Sequence, residues 1–343
     1  MTILIVGGGK MGLSHLAIAG RIAGPANVAV CEANRVIRFL YNRLNVRTYP
    51  SIAEAIASHR GIKGAIIATP TPSHYAISKM FLEQSIPCFI EKPLTLRSTR
   101  SKELMNLATS GKVYTQMGFV LRYVSTFSRL RDLVRTGALG AVRSYRARMN
   151  GNVITKPDTK SWRTDFSAGG GCLNEYGPHL IDLCRFIFGD VMTLQGAEKG
   201  HVHSTRADDQ MAFNWIHASG VAGEVKLDWC DTSKRKSVIQ FDIDFEQARV
   251  RGDNSALHFD FHGDNYLSPE ERSQISEPLT PPKVSFYLRG EEYTLQLEDF
   301  IGRCMGHNYR VDHEFGLENG AQLQDGLEVD LLIESISKKA GLQ

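Results

Sequence analysis

The sequence has few of the features that mark secreted, membrane or nucleic-acid-binding proteins. Its six cysteines form no CxxC pair and no close set with histidine, which argues against disulfides or a zinc site and favours a reducing compartment. No apolar run approaches the ~18–20 residues of a membrane span. The net charge is only +3, and no basic block indicates nucleic acid. A buried-strand pattern begins at Ile3, too early for a signal peptide, so we expect a cytoplasmic protein.

A metal site is not expected either. His201 and His203 alternate on a predicted strand and therefore share a face, but no third ligand lies near them in sequence. We interpret them as exposed strand histidines.

The chain does have enough apolar residues for two domains. It is 343 residues long, 42% hydrophobic and 22% charged, as is typical of globular proteins with sizeable cores. Short apolar strands alternate with helices over 1–120, which predicts a doubly wound parallel sheet. Alternating polarity dominates afterwards, so a second domain with a mostly antiparallel sheet is expected over 121–343. Helices are predicted over 52–58, 73–83 (with Ser73 as N-cap), 98–109 and 326–339.

A glycine-rich turn follows the first strand. Thr2–Val6 is a predicted strand, Gly7–Gly12 fits G-x-G-x-x-G, and a helix comes next. The second strand, Val28–Cys31, ends at Glu32, which completes the context of a dinucleotide-binding Rossmann fold. There the glycines permit a tight turn, a close approach of the pyrophosphate and close helix packing, with the phosphates at the helix N-terminus.

Glu32 bears on the choice of cofactor. A carboxylate at this position accepts hydrogen bonds from the adenine-ribose diol and repels a 2′-phosphate, so NAD is favoured over NADP. Arg35 and Arg38, just downstream, are interpreted as solvated helix charges, although either could bind such a phosphate.

Polar groups also follow two later strands, in the segments Ala68–His74 and Glu91–Pro93. Ligands of doubly wound sheets bind beyond the carboxyl ends of the strands. The second of these segments contains Lys92, whose ammonium could lie beside a substrate oxygen, although most single lysines are surface residues. The predicted cofactor site combines both segments with the glycine turn: Gly7, Gly9, Lys10, Met11, Gly12, Glu32, Thr69, Pro70, His74, Glu91 and Lys92.

A second glycine run leads into a polar segment. Gly169–Gly171 precedes Glu175, His179 and Asp182, whose spacing puts them on one face of a helix. Glycines before a helix let a ligand approach the backbone closely, and histidine exchanges protons near neutral pH. The segment therefore predicts a place where a proton is handled, with a capped amphipathic helix and a core histidine as the equal alternative.

On the motifs Gly7–Gly12, Glu91–Pro93 and Gly169–Asp182, the chain resembles the Gfo/Idh/MocA oxidoreductases, the family of glucose–fructose oxidoreductase and inositol dehydrogenase. The match runs nearly end to end. Further matching segments are Gly118–Tyr123, Thr136–Gly140, Trp162–Arg163, Leu297–Ile301 and Gly326–Lys339. The resemblance implies an N-terminal Rossmann domain and a C-terminal α+β domain with an open, mostly antiparallel sheet. One sheet face would cover the active site and the other would pack against a second subunit.

The resemblance also implies residue roles. Lys92 would orient the reacting hydroxyl and ease its deprotonation. His179 would act as general base or acid, and Glu175, where the family more often has Asp, would hydrogen-bond substrate or His179. Asp182 is interpreted as structural. The candidate contacts to the substrate or the nicotinamide, with packing or an ion pair as the equal alternative, are Tyr123, Trp162 and Arg163.

The implied activity is hydride transfer between NAD(P) and a hydroxyl or carbonyl carbon of a sugar, cyclitol or sugar derivative, in a homodimer or homotetramer. Two alternatives stay open: an NAD-dependent glycosidase that uses transient oxidation, and a non-catalytic nucleotide-sensing regulator. Lys92 and His179 together argue for catalysis, because a sensor needs no proton acceptor. The proline-rich segment Ser268–Pro282 is predicted to be an excursion from the sheet or a partly mobile loop.

Overall fold

The computed structural model describes residues 1–58, 61–157, 161–264, 266–306 and 320–342. The chain divides into two compact units. The first is Met1–Tyr123 with Pro282–Asp330, and the second is Val124–Pro281 with Leu331–Gln343. Within the described residues, no helix is both long and apolar enough to cross a bilayer.

Each unit contains one sheet with helices packed on it. The strands are β1 (Thr2–Val6), β2 (Val28–Cys31), β3 (Arg47–Tyr49), β4 (Ile62–Ile67), β5 (Cys88–Ile90), β6 (Thr115–Met117), β7 (Val142–Asn150), β8 (Val191–Gly200), β9 (Gln210–His217), β10 (Ala222–Asp228), β11 (Val238–Phe245), β12 (Ala248–Asp253) and β13 (Leu257–Phe261). The helices are α1 (Lys10–Ala23), α2 (Arg35–Arg43), α3 (Ile52–Ser58), α4 (His74–Glu83), α5 (Ser98–Gly111), α6 (Ser125–Thr136), α7 (Cys172–Glu175), α8 (Gly177–Phe188), α9 (Pro269–Ile275), α10 (Glu291–Met305) and α11 (Leu323–Lys339).

The first sheet has the strand order β3-β2-β1-β4-β5-β6, and every pair of neighbours is parallel. The order reverses between β1 and β4, so this is the doubly wound arrangement with its ligand crevice at the switch point. Strand β1 is buried throughout, as expected of an apolar strand covered by helices on both faces. The predicted fold class is confirmed.

Helix α10 packs in the first unit, although the sequence pattern assigned residues after 120 to the second domain. Phe300 and Leu297 of α10 join the apolar cluster of Leu16, Ile18 and Phe89. Gly64 in β4 makes room for this packing, since a Cβ there would lie 3.2 Å from the Phe300 ring. The chain therefore returns to the first core after the second sheet is complete.

The predicted helices of the first unit are present, including α3 over the predicted residues. Ser73 precedes α4 as predicted, but it makes no capping hydrogen bond. Its hydroxyl instead bonds Thr69 Oγ1 at 2.8 Å and the Pro70 carbonyl at 2.7 Å. Strand β3 was not predicted, because it has three residues and none of them is buried.

The second sheet has the order β13-β12-β11-β7-β10-β9-β8, and only the β7–β10 pair is parallel among the described strands. This mostly antiparallel sheet confirms the prediction. Tyr145 of β7 stacks on Phe188 of α8 with ring centroids 3.8 Å apart. Its hydroxyl bonds His217 Nε2 and accepts from Trp215 Nε1, each at 2.7 Å. Helix α8 is thereby fixed to the sheet by apolar and polar contacts together.

The prediction that His201 and His203 lie on a strand is wrong. Strand β8 ends at Gly200, and both histidines belong to the turn that leads into β9. The ring of His201 is bonded through Nδ1 to the Ala207 carbonyl at 2.8 Å. The carboxylate of Asp209 holds the turn, because its Oδ2 accepts from the amides of residues 202–204 at 2.6–2.9 Å.

Candidate functional site

The glycine turn between β1 and α1 has the geometry of a phosphate cradle. Gly7 has φ +99°, a conformation that favours glycine. A Cβ on Gly12 would lie 1.8 Å from the Gly7 carbonyl oxygen, whereas a Cβ on Gly9 would meet nothing within 4 Å. Gly7 and Gly12 are thus needed for the fold, and Gly9 leaves open space at the N-terminus of α1, where backbone N–H groups attract anions.

Glu32 lies at the end of β2 and holds this turn. Its two carboxylate oxygens accept from the amides of Gly8 and Asn34, each at 2.7 Å. A carboxylate has about four acceptor sites, so the ribose hydroxyls can still bind it. Arg38 donates to the carbonyls of Glu32 and Ala33 at 2.8 and 2.7 Å. Arg38 is therefore engaged by the backbone, which favours the interpretation that it does not bind a phosphate.

Thr69 and His74 connect the loops that follow β4 and β5. The Thr69 methyl would contact a Cβ on Gly7 at 3.0 Å, so this residue lies against the glycine turn. His74 is 1% exposed, and its Nε2 and Nδ1 lie 2.8 and 2.9 Å from the carbonyl oxygens of Thr69 and Pro93. The ring thus lies between the two loops, and in its neutral form it donates to one of the two carbonyl oxygens, because a neutral imidazole has a single N–H. Pro70 is exposed beside them.

The Glu91 side chain contacts α1 within the first unit. Its Oε1 lies 2.8 Å from Nε2 of His15 on α1, and the side chains are 15% and 1% exposed. Burial would raise the pKa of Glu91, but the hydrogen bond and charge of His15 outweigh it, so the pKa lies below its usual value. Gly118 accommodates the carboxylate, since a Cβ there would lie 2.9 Å from Oε2. Glu91 thus fixes the loop that presents the half-buried Lys92.

His15 is a residue that the sequence analysis missed. It occupies a buried position of α1 next to Leu16 and Ile18, where the pattern predicts an apolar side chain. A polar residue on the buried face of a helix requires a partner, and this requirement is the signal that could have pointed to Glu91. Lys92 itself precedes a cis peptide bond to Pro93.

In the second unit, the predicted proton-handling segment forms two helices. Helix α7 ends at Glu175 and α8 begins at Gly177, with Tyr176 between them, so the prediction of a single helix is wrong. Within residues 171–184, all of which the structure describes, Glu175 and His179 alone are not classed as buried. Asp182 is 1% exposed, in agreement with a structural role. The two candidate catalytic residues are thus the partly buried positions of an otherwise buried segment, although the Nδ1 atom of His179 is itself buried.

The glycine run before α7 is required by contacts within the protein. A Cβ on Gly170 would lie 2.3 Å from the Arg163 carbonyl oxygen and 2.4 Å from that of Trp162. Gly171 has φ +96°, and a Cβ there would lie 2.2 Å from Asp208 Oδ1. We expected these glycines to let a ligand approach the backbone. At both positions the structure shows instead that packing within the protein requires glycine.

The three candidate substrate contacts differ in their surroundings. Trp162 is 47% exposed, and the Arg163 guanidinium lies over its ring at 4.9 Å from the centroid. Because the backbone of both packs on Gly170, this exposed pair lies beside the start of α7. Tyr123 instead donates its hydroxyl to Asp299 Oδ2 at 2.8 Å, which favours the packing alternative for that residue.

Comparisons with known proteins bear on both units. Residues 1–119 match a family model described as an oxidoreductase family with an NAD-binding Rossmann fold. Residues 127–257 match the model of the GFO/IDH/MocA C-terminal domain. These matches confirm the resemblance expected from the motifs, and with it the predicted NAD cofactor. Among the described residues, no three His, Cys, Asp or Glu side chains are grouped as a metal site requires.

Individual relatives are similar at modest identity. An oxidoreductase of Formosa agariphila is 25% identical over 300 residues, which cover 82% of this chain and 83% of the relative. Inositol 2-dehydrogenase of Corynebacterium glutamicum is 31% identical over 140 residues, covering 40% of this chain and 41% of the relative. A levoglucosan dehydrogenase solved with NADH and levoglucosan has a TM-score of 0.80 at 22% identity, covering 99% of this chain and 97% of that one.

Proposed function

Because this chain belongs to the Gfo/Idh/MocA oxidoreductase family, with an NAD-binding Rossmann domain, we propose that it transfers a hydride between NAD and a carbon of a sugar, cyclitol or sugar derivative. The reacting carbon would carry a hydroxyl group in one direction and a carbonyl group in the other. The names of relatives that act on inositol and levoglucosan support this substrate class.

One observation carries the catalytic part of the proposal. Glu175 and His179 are the two residues of segment 171–184 that are only partly buried, and an imidazole that a ligand can reach is a suitable proton acceptor. The alternative of a satisfied core histidine is therefore the weaker one.

We assign roles to the three candidate catalytic residues. Lys92 donates a hydrogen bond to the reacting oxygen and favours its deprotonation, because an ammonium stabilises an alkoxide. His179 takes the hydroxyl proton in oxidation and returns it in reduction. Glu175 hydrogen-bonds the substrate or orients His179. When bound, NAD supplies the hydride acceptor at the nicotinamide.

The chain's own groups also define how the cofactor would be held. The N-terminal amides of α1 at Lys10 and Met11 would bind the pyrophosphate, with Gly9 leaving the space for it. Glu32 would accept the adenine-ribose hydroxyls. Calorimetric titration with NAD and NADP tests this arrangement. Tighter NADP binding would contradict the role of Glu32 and direct attention to the exposed Arg35.

The activity is tested with a panel of sugars and polyols, including levoglucosan, myo-inositol and nucleotide sugars, followed at the absorbance of NADH. Lys92→Ala and His179→Ala are each expected to lower turnover by about 10²–10⁴-fold. The Kd for NAD should stay nearly unchanged, because neither residue holds the dinucleotide in this proposal. Full turnover in either variant would remove that residue from the catalytic assignment.

Glu175 is tested by two conservative changes. Glu175→Gln keeps the size and removes the charge, so KM should rise or the pH profile governed by His179 should move to lower pH, since a carboxylate stabilises the imidazolium. Glu175→Asp should be milder, as Asp is the commoner residue of the family. Parallel melting curves separate these effects from a loss of stability. Unchanged KM, kcat and pH profile in a stable Gln variant would exclude Glu175 from the site.

We also propose a cytoplasmic homo-oligomer that forms through the outer face of the second sheet. All six cysteine thiols are unpaired, which suits a reducing compartment. The outward side chains of neighbouring strands are charged with both signs, as in the Arg146–Glu224 pair at 3.3 Å and the Arg251–Asp260 pair at 2.7 Å. Light scattering coupled to size exclusion measures the state, and a charge reversal at Arg146 should weaken it.

A further inference from the structure

A fully buried carboxylate holds the beginning of α7. Asp208 is 0% exposed and lies in the short segment before β9. Its Oδ2 accepts from the backbone amide of Leu173 at 2.8 Å and from the Cys172 thiol at 3.0 Å. Its carbonyl oxygen also accepts from the Cys172 amide at 2.9 Å. One residue thus satisfies two of the amide groups that a helix start leaves without partners.

The other carboxylate oxygen of Asp208 is aimed at the glycine run. Oδ1 is buried and has no hydrogen-bond partner among the described residues, and it occupies the space that a side chain on Gly171 would need. An unsatisfied buried carboxylate oxygen is costly. The neighbouring Asp209 also has a buried Oδ1 without a hydrogen-bond partner among the described residues, so the two acids differ in the segment that each of them holds.

The neighbouring carboxylate provides a comparison within the same chain. Asp209 is also 0% exposed, but the amides that it binds belong to residues 202–204. Its contacts hold the turn before β9 and do not reach α7. Two adjacent buried acids thus hold two different segments, and Asp208 alone of the two is bonded to the segment that contains Glu175 and His179.

We propose that Asp208 is a positioning residue for the active site, which fixes the start of α7 through Leu173 and Cys172 and thereby sets the position of Glu175 and His179. The inference rests on the proposed function of those two residues. Helix α7 has only four residues, too few to be stable without tertiary contacts. Its direction therefore depends on what holds its first turn, and a displacement of about 1 Å can lower a catalytic rate by about 10²-fold.

The test compares Asp208→Asn, Asp208→Ala and Cys172→Ala with the matched control Asp209→Asn. Hydrogen–deuterium exchange of peptides from 171–180 measures how firmly the segment is held, without any substrate. Steady-state kinetics with the fastest sugar of the panel measure kcat, KM and the pH profile. We expect faster exchange in the Asp208 and Cys172 variants, and a kcat at least about tenfold lower in Asp208→Asn with unchanged NAD affinity.

The control decides what the result means. Asp209→Asn should leave exchange over 171–180 and kcat at the wild-type level, although it removes the same charge from the next residue. Equal effects of the two Asn variants, or wild-type exchange in Asp208→Ala, would overturn the proposal, as would faster exchange with unchanged kinetics. If Asp208→Ala does not fold, the Asn and Cys172 variants decide the question. Failure of the proposed function would appear separately, as full activity of His179→Ala.

Discussion

Replacing Asp208 with Asn should change how the stability of the second unit depends on pH. Burial raises the pKa of the Asp208 carboxyl from 3.8 to about 6, and Asp209 adds to this, while hydrogen bonds from Cys172 and Leu173 oppose it. Each pKa unit corresponds to about 1.36 kcal/mol between the two protonation states. A shift of roughly two units therefore corresponds to about 3 kcal/mol of unfolding free energy.

The sign follows from the raised pKa. Below about pH 4, Asp208 is protonated in both the folded and the unfolded chain, and its charge costs nothing. As the pH rises through about 6, the buried group ionises and the folded state loses this stability. Asparagine does not titrate, so the stability of Asp208→Asn minus that of the wild type should rise by about 3 kcal/mol between about pH 4 and pH 8.

Asp209→Asn should show the opposite slope. Burial alone would raise the pKa of Asp209, but the backbone amides of residues 202–204 outweigh it and lower the pKa below its usual value. The wild type therefore gains stability from this group as the pH rises and loses it as the pH falls through the lowered pKa. The stability of Asp209→Asn relative to the wild type should accordingly fall with increasing pH.

Tryptophan fluorescence is a suitable probe for both variants. The chain has three tryptophans, and Trp162, Trp215 and Trp229 all belong to the second unit. Urea titrations at several pH values would give the unfolding free energy by linear extrapolation. A difference between Asp208→Asn and the wild type that does not change with pH would refute the reasoning, because it would mean that the carboxylate is solvated or already neutral.

Three further changes are expected to act in the first unit. Gly12→Ala should cost about 1–3 kcal/mol of stability and weaken NAD binding, because its methyl would overlap the Gly7 carbonyl; calorimetry measures the affinity. Tyr123→Phe should cost about 1–3 kcal/mol, because Asp299 loses a buried donor, while kcat and KM stay unchanged; a raised KM would show a substrate contact instead. Glu32→Gln should weaken NAD binding by about 1–3 kcal/mol and reduce the preference of the protein for NAD over NADP. An equal loss of affinity for both cofactors would contradict the role of the charge.

The sequence predicted the elements whose pattern is local. The glycine turn at Gly7–Gly12, the buried strand β1 and the switch to alternating strands after Val142 all follow from neighbouring residues. It did not predict that α10 returns to the first unit, because an amphipathic helix does not specify which core it covers. Strand β3 was missed for a related reason, since three residues of which none is buried have no polarity pattern to detect.

For the candidate site, the sequence indicated positions better than contacts. Glu91 and His74 were assigned to the cofactor from their place at strand ends, and the structure shows them bonded within the first unit, to His15 and to two loop carbonyls. Such a partner can be distant in sequence, as His15 and Glu91 are 76 positions apart. A buried acid or histidine predicts that a partner exists, and only the fold identifies it.

The two glycine regions show that glycine can be required for different reasons. At Gly9 the missing side chain leaves open space, so an anion can approach the amides of α1. At Gly170 and Gly171 that volume is filled by the carbonyls of residues 162–163 and by Asp208. Where a glycine faces open space, a change to alanine leaves the fold intact and fills the ligand site. Where a glycine faces backbone or a buried carboxylate, the same change disturbs the fold. Gly9→Ala should therefore lower NAD affinity at wild-type stability, and Gly171→Ala should lower stability, because its φ of +96° is strained for alanine.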